Sequence, residues 1–538
     1  MPLQSSNVPD LVVIDQWLGM NQSSSRPVID DQECFWLENF FPIAPGHLRS
    51  GWGASGALYT APGGTSILRI FFANIDGTNP LGFMFLSNGV VDQVNLSTRA
   101  VTTIGAVWQP VAPHYWADLK LWAPNQFGHA AGQNGGVLIG SPQGLYAWDG
   151  ATLTSPGQTP PLWFTGGATH DANNNPLVMP SGLPGIYAME VYKDRLWVMG
   201  QTVIGFSAPN NGSDFSASGG GGLFPYHGDQ LTVSYTELHA SGGFLYLFGD
   251  SQTQGINDLT LVGQTPIQGQ AGSVTVYTTN FQINNVDPQV GQRFFRPVGV
   301  WEQAFTLYNG AGIYFLANGQ VQWASEKITN LLQTLDVTAF EPTQCPAHIF
   351  GKKFLLFNVK LTDPWGVSRP MILAWSGPQD QKWVVASQNL NLTNISSYEQ
   401  NSVITPYGTD GTSLYQLFAQ PDPHLPKRLL SKEYSGGGMA SLNNLTVKDW
   451  KRLYVHMMDR FHGAEGVSIT GTMTSGNGGV PGGTEDLSFN VPSGVAAIVP
   501  WPLGGKGIQA GFMLASNSPD FTLARISLTF EARTLFGA

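Results

Sequence analysis

Charge is scarce in this sequence. Charged residues make up 11% of its 538 positions, less than half of the usual share of about 25%. Acidic residues outnumber basic ones, 36 against 25, which gives a net charge of −11. A protein that reads a nucleic-acid sequence needs a basic face, so this composition argues against that class. It leaves room for DNA that passes close to the protein without being read.

Cysteines and long apolar runs are scarce as well. The two cysteines, Cys34 and Cys345, lie far apart in the sequence, so they cannot form a disulfide framework and are expected to be buried free thiols. No run of 18 apolar residues occurs, and the first residues lack the basic and apolar regions of a signal peptide. We therefore expect a soluble chain that does not insert into a membrane on its own.

Catalytic and metal-binding patterns are missing too. Asp30, Asp31 and Glu33 are paired carboxylates, but neighbours on one chain do not flank a scissile bond as two glycosidase acids must. The histidines show no zinc-site spacing. No nucleophile elbow, dinucleotide glycine set or phosphate loop occurs. We predict a protein that is not an enzyme and that has no catalytic residue, cofactor or metal site.

Aromatic and turn-forming residues, in contrast, are abundant. Aromatic residues make up 12% of the chain, with 65 glycines and 36 prolines. Residues 136–150, GVLIGSPQGLYAWDG, consist of an apolar run, a Gly-Ser-Pro-Gln-Gly reversal and a second apolar run, which is the pattern of a tight β-hairpin. Similar hairpins begin at Gly82, Leu196, Phe244, Ile313 and Phe354, and a weaker one lies near Leu414.

These hairpins predict the fold class. A hairpin cannot bury its apolar face alone, and repeats spaced roughly 40 to 70 residues apart suit the blades of a β-propeller. We predict an all-β protein in which residues 55–445 form a β-propeller of six to eight blades. From about residue 447, segments that alternate apolar and polar residues predict an antiparallel β-sandwich over residues 446–538. Strand alternation would turn four of its aromatic residues inward: Trp450, Tyr454, Phe512 and Phe530.

Residues 1–54 lack the hairpin repeat and form a third segment. We expect a short helix over residues 31–39, with Asp30 or Asp31 as its N-cap. Extended pieces should flank this helix. The whole segment is expected to dock on the propeller or to close its ring.

Motifs in this N-terminal segment resemble those of a known family. They are, in order, Gly19-Met-Asn, a serine-rich spacer, Val28-Ile-Asp-Asp-Gln-Glu, Asn39-Phe-Phe-Pro, Pro45-Gly-His-Leu and Arg49-Ser-Gly-Trp-Gly. Further matching pieces are a strand with Trp197 followed by Ser207-Ala-Pro and Asp214-Phe, and the C-terminal turns Gly504-Gly-Lys-Gly and Ser518-Pro-Asp-Phe. The sequence thus resembles the propeller-type tail nozzle, tail adaptor and head-completion (stabilisation) proteins of tailed bacteriophages.

That resemblance implies a structural role in a virion. The chain would be a tail nozzle or adaptor whose copies form a homo-oligomeric ring, most simply a hexamer, around the DNA exit channel. Other tail or connector proteins would be its neighbours, and DNA would pass through without sequence-specific binding. An acidic channel wall suits this role because it repels the phosphate backbone of DNA, whereas a basic channel wall would bind that backbone. The chain would be made in the host cytoplasm and end in the phage tail.

Two other functions stay open. A receptor- or glycan-binding propeller at the tail tip would use exposed tryptophans and tyrosines to stack on host sugars. A propeller glycosidase of the sialidase kind would need a Ser-X-Asp-X-Gly-X-X-Trp box, which Ser141-Pro-Gln-Gly approaches poorly.

Basic residues concentrate where the predicted propeller meets the predicted sandwich. Inter-domain and inter-subunit contacts are expected at such a boundary, so we predict that this basic cluster meets acidic groups of a neighbouring subunit or ring protein. A solvated linker face is the alternative. The basic cluster consists of Lys427, Arg428, Lys432, Lys448, Lys451, Arg452 and Arg460.

Overall fold

A computed structural model describes most of the chain, and within it the protein is all-β. The described residues contain 42 strands, one short α-helix, α1 (Thr329–Leu332), and two single-turn 3₁₀-helices at Ala217–Gly219 and Glu326–Ile328. The described residues are 10–75, 78–110, 117–122, 135–181, 183, 185–200, 203–225, 235–250, 252–259, 261–266, 273–278, 280–292, 299–302, 304–308, 310–336, 342–435, 447–458, 466–477, 480–491 and 497–532.

The N-terminal segment forms four strands. They are β1 (Asp10–Ile14), β2 (Cys34–Glu38), β3 (Phe40–Ala44) and β4 (His47–Ser50). The helix predicted over residues 31–39 is wrong, because β2 occupies most of that stretch. Trp36 and Leu37 point to opposite faces of β2 and are both fully buried. A strand covered on both faces has no polar alternation that would distinguish it from a short buried helix.

Four-stranded antiparallel sheets follow one another along the chain and form the blades of a propeller. A short strand, β5 (Tyr59–Thr60), precedes the first of them. Blade one consists of β6 (Ile67–Ala73), β7 (Leu81–Leu86), β8 (Val90–Asn95) and β9 (Val101–Ala106). Blade two consists of β10 (Asp118–Trp122), β11 (Gly136–Ser141), β12 (Gly144–Trp148) and β13 (Leu153–Thr154).

Blades three and four have the same plan, and blade four carries an extra ribbon. Blade three consists of β14 (Ala188–Tyr192), β15 (Arg195–Met199), β16 (Val203–Phe206) and β17 (Gly222–Pro225). Blade four begins with β18 (Tyr235–Ser241), β19 (Phe244–Gly249) and β20 (Thr253–Asp258). A separate two-stranded ribbon, β21 (Leu261–Pro266) and β22 (Ser273–Thr278), precedes its fourth strand, β23 (Phe281–Asp287).

Blades five to seven complete the ring. Blade five consists of β24 (Gly299–Trp301), β25 (Ala304–Tyr308), β26 (Ile313–Ala317) and β27 (Gln320–Trp323). Blade six consists of β28 (Thr343–Ile349), β29 (Lys352–Thr362), β30 (Ser368–Trp375) and β31 (Trp383–Ala386). Blade seven consists of β32 (Asn394–Gln400), β33 (Val403–Thr409) and β34 (Ser413–Gln416), and β5 is its fourth strand.

The ring is closed at the junction of blades seven and one. The innermost strand of blade seven, β32, contacts the innermost strands of blades six and one, β28 and β6. Each blade also buries its apolar face on the next: Phe83 and Phe85 of blade one share a core with Ile139 and Trp148 of blade two. The predicted propeller is therefore confirmed, with seven blades, and each repeated hairpin of the sequence lies within one of them.

Eight strands follow the propeller and complete a β-sandwich. They are β35 (Lys427–Ser431), β36 (Lys448–Met457), β37 (Val467–Asn477), β38 (Val480–Val491), β39 (Ala497–Pro502), β40 (Lys506–Gly507), β41 (Gln509–Ser516) and β42 (Thr522–Ala532). One layer has the order β3-β4-β42-β36-β39, with β1 paired to β42 and β40 to β36. The other runs β31-β2-β35-β41-β37-β38 and thereby continues the sheet of blade six.

The sandwich thus extends beyond residues 446–538, the range assigned to it from the sequence. Strands β1, β3 and β4 belong to one of its layers, and β2 belongs to the other. β2 also docks on the propeller, since Glu38 pairs in parallel with Val385 of β31. Alternation along one strand shows that a face is buried, but it does not show which distant strand lies beside it.

A β-bulge changes which aromatic residues of β36 face the core. Trp450 is buried as predicted, and so are Phe512 and Phe530, but Tyr454 is only half-buried. The pairing with β42 shifts between Trp450 and Arg452. One extra residue in a strand moves every later side chain to the other face. The prediction for Tyr454 is therefore wrong, and Leu453 takes the inward position.

Candidate functional site

The first half of the basic cluster lies on β35 and just after it. Lys427 is buried, and its Nζ donates a hydrogen bond of 3.0 Å to the carbonyl oxygen of Asp422. Burial lowers the pKa of Lys427 to about 8, and the nearby carboxylate of Asp422 opposes this only in part. Lys432 Nζ lies 2.7 Å from Asp31 Oδ1. Both cations therefore have partners in their own chain.

The second half of the cluster lies on β36, in the opposite layer of the sandwich. Lys448 is buried, and its Nζ donates to the carbonyl oxygen of Ile508 over 3.3 Å. Lys451 Nζ lies 2.9 Å from Glu531 Oε2, whereas Arg452 is exposed.

The sequence cluster is therefore not one surface. Lys427 and Lys448 are too buried to reach a neighbouring subunit, and Arg460 lies outside the described residues. A contact between this cluster and a neighbour stays a prediction, and Lys451 and Arg452 are the members most accessible for it.

A buried carboxylate, Glu38 on β2, joins three parts of the chain. Its Oε1 lies 2.9 Å from Arg369 NH2 of blade six, and its Oε2 lies 3.9 Å from Arg428 NH1 on β35. Trp36 Nε1 donates to the same Oε2 over 3.2 Å. Removing one partner of a buried ion pair is strongly destabilising, so this network fixes blade six against the sandwich. A charged residue inside the apolar run CFWLENFF was the signal in the sequence.

A second ionic cluster bridges the innermost strands of blades two, three and four. Lys120 Nζ on β10 lies 3.1 Å from Glu190 Oε2 on β14. His239 on β18 places Nδ1 3.2 Å from the same carboxylate oxygen and Nε2 3.3 Å from Glu237 Oε1. These four side chains form an inner-strand ion chain that ties three blades together near the propeller axis.

The inner-strand ion chain shifts two pKa values in opposite directions. Burial alone would raise the pKa of Glu190, but the charge of Lys120 and the hydrogen bond from His239 lower it to about 2. Burial alone would lower the pKa of His239, but its hydrogen bonds to Glu190 and Glu237 raise it to about 9. At neutral pH His239 is therefore a cation held between two carboxylates, an arrangement that stabilises the fold but leaves no imidazole free to accept a proton.

The stability of the folded protein should depend on pH through the inner-strand ion chain. Because folding raises the pKa of His239 from 6.5 to about 9, its contribution is complete below pH 6.5 and is lost as the pH rises through 9. Because folding lowers the pKa of Glu190 from 4.5 to about 2, its contribution is complete above pH 4.5 and is lost as the pH falls toward 2. We expect His239→Gln to lower the thermal unfolding temperature at pH 6 much more than at pH 10. An equal loss at both values would contradict this, and His424→Gln, in an exposed loop, is the control.

The outermost strands of blades one to five form a rim that is poor in charge. These outer-rim strands are β9, β13, β17, β23 and β27, and Asp287 is the single charged residue in them. Within the described part of the chain, none of the five pairs with a further strand. In blade six, by contrast, β2 covers the outer edge.

Large apolar side chains are exposed along this rim. Val101 of blade one, Leu223 of blade three, Ile283 of blade four and Trp323 of blade five each expose about half of their surface (48 to 51%). Soluble monomers usually protect free sheet edges with charged residues, proline or bulges. Here β17 ends in a proline, and β9 and β23 each carry a bulge, but charged residues are nearly absent from the five strands. The outer-rim strands are therefore a candidate assembly surface, which the sequence analysis did not single out.

Other kinds of site find little support in the described residues. In that part of the chain, no three His, Cys, Asp or Glu side chains are placed to hold a metal ion. No helix described there is long and apolar enough to cross a membrane. Cys34 and Cys345 are buried free thiols, as expected, and burial raises the pKa of Cys34 to about 12. A thiol with so high a pKa forms little thiolate and is a poor nucleophile.

Comparison with known proteins gives no close relative. No known family matches the sequence, and no curated protein does. Among solved structures, the chain is similar to crystal structures of BBS1N in complex with ARL6DN, one soaked with mercury and one with lead. The first match has 9% sequence identity and a TM-score of 0.39, and covers 69% of this chain and 97% of that one. The second has 9% identity and a TM-score of 0.38, and covers 68% and 97%.

Proposed function

We propose that this protein is a structural component of a tailed-phage virion, a tail nozzle or adaptor whose copies form a ring around the DNA exit channel. The outer-rim strands carry this proposal. In the described part of the chain, these five adjacent sheet edges pair with no further strand, and they carry one charged residue and four exposed large apolar side chains, which suits permanent contacts between subunits. The cores of such interfaces are depleted in charge and enriched in aromatic residues.

The way in which sandwich and propeller are joined supports the same role. One sheet runs from blade six into the sandwich through β2, and the Glu38 network fixes the two parts to each other. A subunit built in this way can hold its neighbours at a constant angle, which a closed ring requires, because a heterologous contact closes only when its rotation is fixed.

The resemblance to phage tail proteins supports the assignment of this ring to a tailed-phage virion. It depends on the N-terminal motifs, on the hairpin with Trp197 and on the C-terminal turns. Two of these motifs are packed together in the structure: Phe40 of Asn39-Phe-Phe-Pro and Phe521 of Ser518-Pro-Asp-Phe have ring centroids 5.7 Å apart. Sequence stretches far apart in the chain thus build one part of the sandwich.

We expect the purified protein to form closed rings, with a hexamer as the simplest size. Lysine in place of both Ile283 and Trp323 should disperse these rings, because two charges would enter the apolar contact. The matched control replaces Val367 and Val403 by lysine, since these residues are similarly exposed (53% and 55%) but lie away from the outer rim. Native mass spectrometry and sedimentation at two salt concentrations measure the oligomer.

Two outcomes would contradict the proposal. A wild-type protein that stays monomeric at all concentrations would show that it forms no ring. Rings that persist in the Ile283→Lys, Trp323→Lys variant as in the control would show that the outer-rim strands are not the contact. Image averages of intact particles labelled on this protein then test whether the ring lies at the tail.

A further inference from the structure

A groove on the propeller surface between blades four and five has an unusual lining. Its volume is about 460 Å³, and none of the ten side chains and glycines that line it carries a charge. Phe244 of β19 presents a partly exposed ring to the groove, and Tyr246 beside it is only 8% exposed. Asn284 of β23 supplies an amide from one side, and Asn318 supplies a second from the β26–β27 turn of blade five.

The backbone holds these amides in defined positions. Asn318 and Gly319 both have positive φ angles, 51° and 72°, which is the geometry of a tight two-residue hairpin turn. Asn285 Oδ1 accepts a hydrogen bond of 2.9 Å from Gln254 Nε2. In the described part of the chain, by contrast, the side-chain amides of Asn284 and Asn318 bond to no protein group, and both residues are exposed. They can therefore donate to and accept from a ligand.

This lining matches the chemistry of a neutral sugar. A pyranose ring has an apolar C–H face, which packs on an aromatic ring, and a rim of hydroxyl groups that both donate and accept hydrogen bonds. A side-chain amide offers a donor and an acceptor side by side, so it can bind two adjacent hydroxyls. Binding pockets generally combine such apolar walls with a few convergent polar groups. None of the described residues that line this groove is a cation that could bind an anionic ligand.

An adjoining depression extends the groove toward blade six. It has a volume of about 550 Å³ and shares Asn318 with the groove, and its lining includes Trp301, Phe315 and Lys353. The Lys353 ammonium lies 4.8 Å from the Trp301 ring centroid, so that aromatic face is already occupied. The neutral groove is therefore the better sugar site, and the depression leaves room for further units of a chain.

We propose that the groove between blades four and five binds a neutral oligosaccharide, with one sugar unit on Phe244 and its hydroxyls on Asn284 and Asn318. This site goes beyond the structural role proposed above. Asn284 lies on the outer-rim strand β23, but strand alternation turns it to the face opposite Ile283, so the groove can stay open when Ile283 is covered by a neighbouring subunit.

The test uses the full chain on an array of neutral glucans, mannans, galactans and N-acetylglucosamine oligomers, with acidic glycans printed beside them. The strongest neutral glycan is then titrated by calorimetry. We expect Asn318→Gly to weaken its binding about tenfold, as loss of a good pair of hydrogen bonds does. Asn401→Gly is the matched control, because Asn401 is also an exposed hairpin-turn asparagine with a φ of 51°.

A second variant narrows the groove and leaves every proposed sugar-binding side chain in place. A Cβ atom at Gly255 would lie 3.4 Å from Val286, 3.8 Å from Phe244 and 4.0 Å from Tyr246, all ordinary contacts. Gly255→Ala should therefore fold normally, with an unchanged thermal unfolding temperature, and weaken the binding, because its methyl group enters the groove beside Val286 and Phe244.

Three results would overturn the proposal. The first is that no neutral glycan is retained by the wild type. The second is equal binding by the wild type, Asn318→Gly and Gly255→Ala. The third is binding of acidic glycans alone, which would assign the ligand to Lys353 and the adjoining depression instead.

Discussion

Replacing Arg195 by alanine is expected to destabilise blades three and four by about 3 to 5 kcal/mol. The Arg195 guanidinium on β15 is almost completely buried, and its Nε lies 3.3 Å from Asp258 Oδ2 on β20 of the next blade. Its NH1 also donates to the carbonyl oxygens of Ser207 and Gly220, over 2.8 Å and 2.6 Å. The substitution leaves a carboxylate in the protein interior without this cation and two carbonyl groups without this donor.

Hydrogen exchange measures this effect where it arises. The amides of β15 and β20 should exchange about 100 to 4000 times faster in Arg195→Ala than in the wild type, since each tenfold change corresponds to about 1.4 kcal/mol. The double variant Arg195→Met, Asp258→Leu should recover most of the stability, because apolar groups of similar volume often replace a buried ion pair without loss. A single Arg195→Ala variant that exchanges like the wild type would refute the interpretation.

Phe530→Asp should have the largest effect in the sandwich, more than about 4 kcal/mol. Phe530 is 1% exposed, and its ring centroid lies 5.1 Å from that of Trp450. An aspartate there would place a charge in an apolar core. Lys448 Nζ lies 5.9 Å from the Phe530 ring, but it already bonds to Ile508, so it would offset only part of the cost. Phe530→Leu, which stays apolar, should cost about 1 to 2 kcal/mol.

The location of the destabilisation caused by Phe530→Asp is as informative as its magnitude. Asp10 of β1 pairs with Phe530 of β42, so the amides of residues 10–14 should lose protection together with those of residues 522–532. Exchange confined to the C-terminal strands would contradict a sandwich shared by both ends of the chain. The same measurement on Phe530→Leu is the control.

The propeller could be predicted because each blade is local. The turn between the two strands of each repeated hairpin is encoded within a few residues, such as Asn318-Gly319 in blade five. The sandwich could be predicted only in part, since its C-terminal strands alternate in polarity but its N-terminal strands do not. β2 is buried on both faces, so its pattern indicated a helix as readily as a strand.

Most of the candidate sites could not be predicted, because they depend on neighbours that are distant in sequence. Lys120, Glu190 and His239 lie on different blades, and only the ring places them within hydrogen-bonding distance. Lys427 and Lys448 belong to one basic stretch of the sequence, yet the two layers of the sandwich separate them. For the outer-rim strands, the sequence shows only a low content of charged residues. Their common surface exists only after the blades have folded.

The pairing of the first strand with the last has a consequence for synthesis on the ribosome. Asp10 meets Phe530, and at about 5 to 20 residues per second the ribosome needs roughly half a minute to two minutes to supply that partner. During this time the apolar stretches CFWLE and FFPIA have emerged without the strands that will cover them. Chaperones would have to shield them while the blades fold in turn. Phe40 gains its contact with Phe521 only when the C-terminal strands have been made, so a truncated product keeps an exposed apolar surface that proteases can recognise.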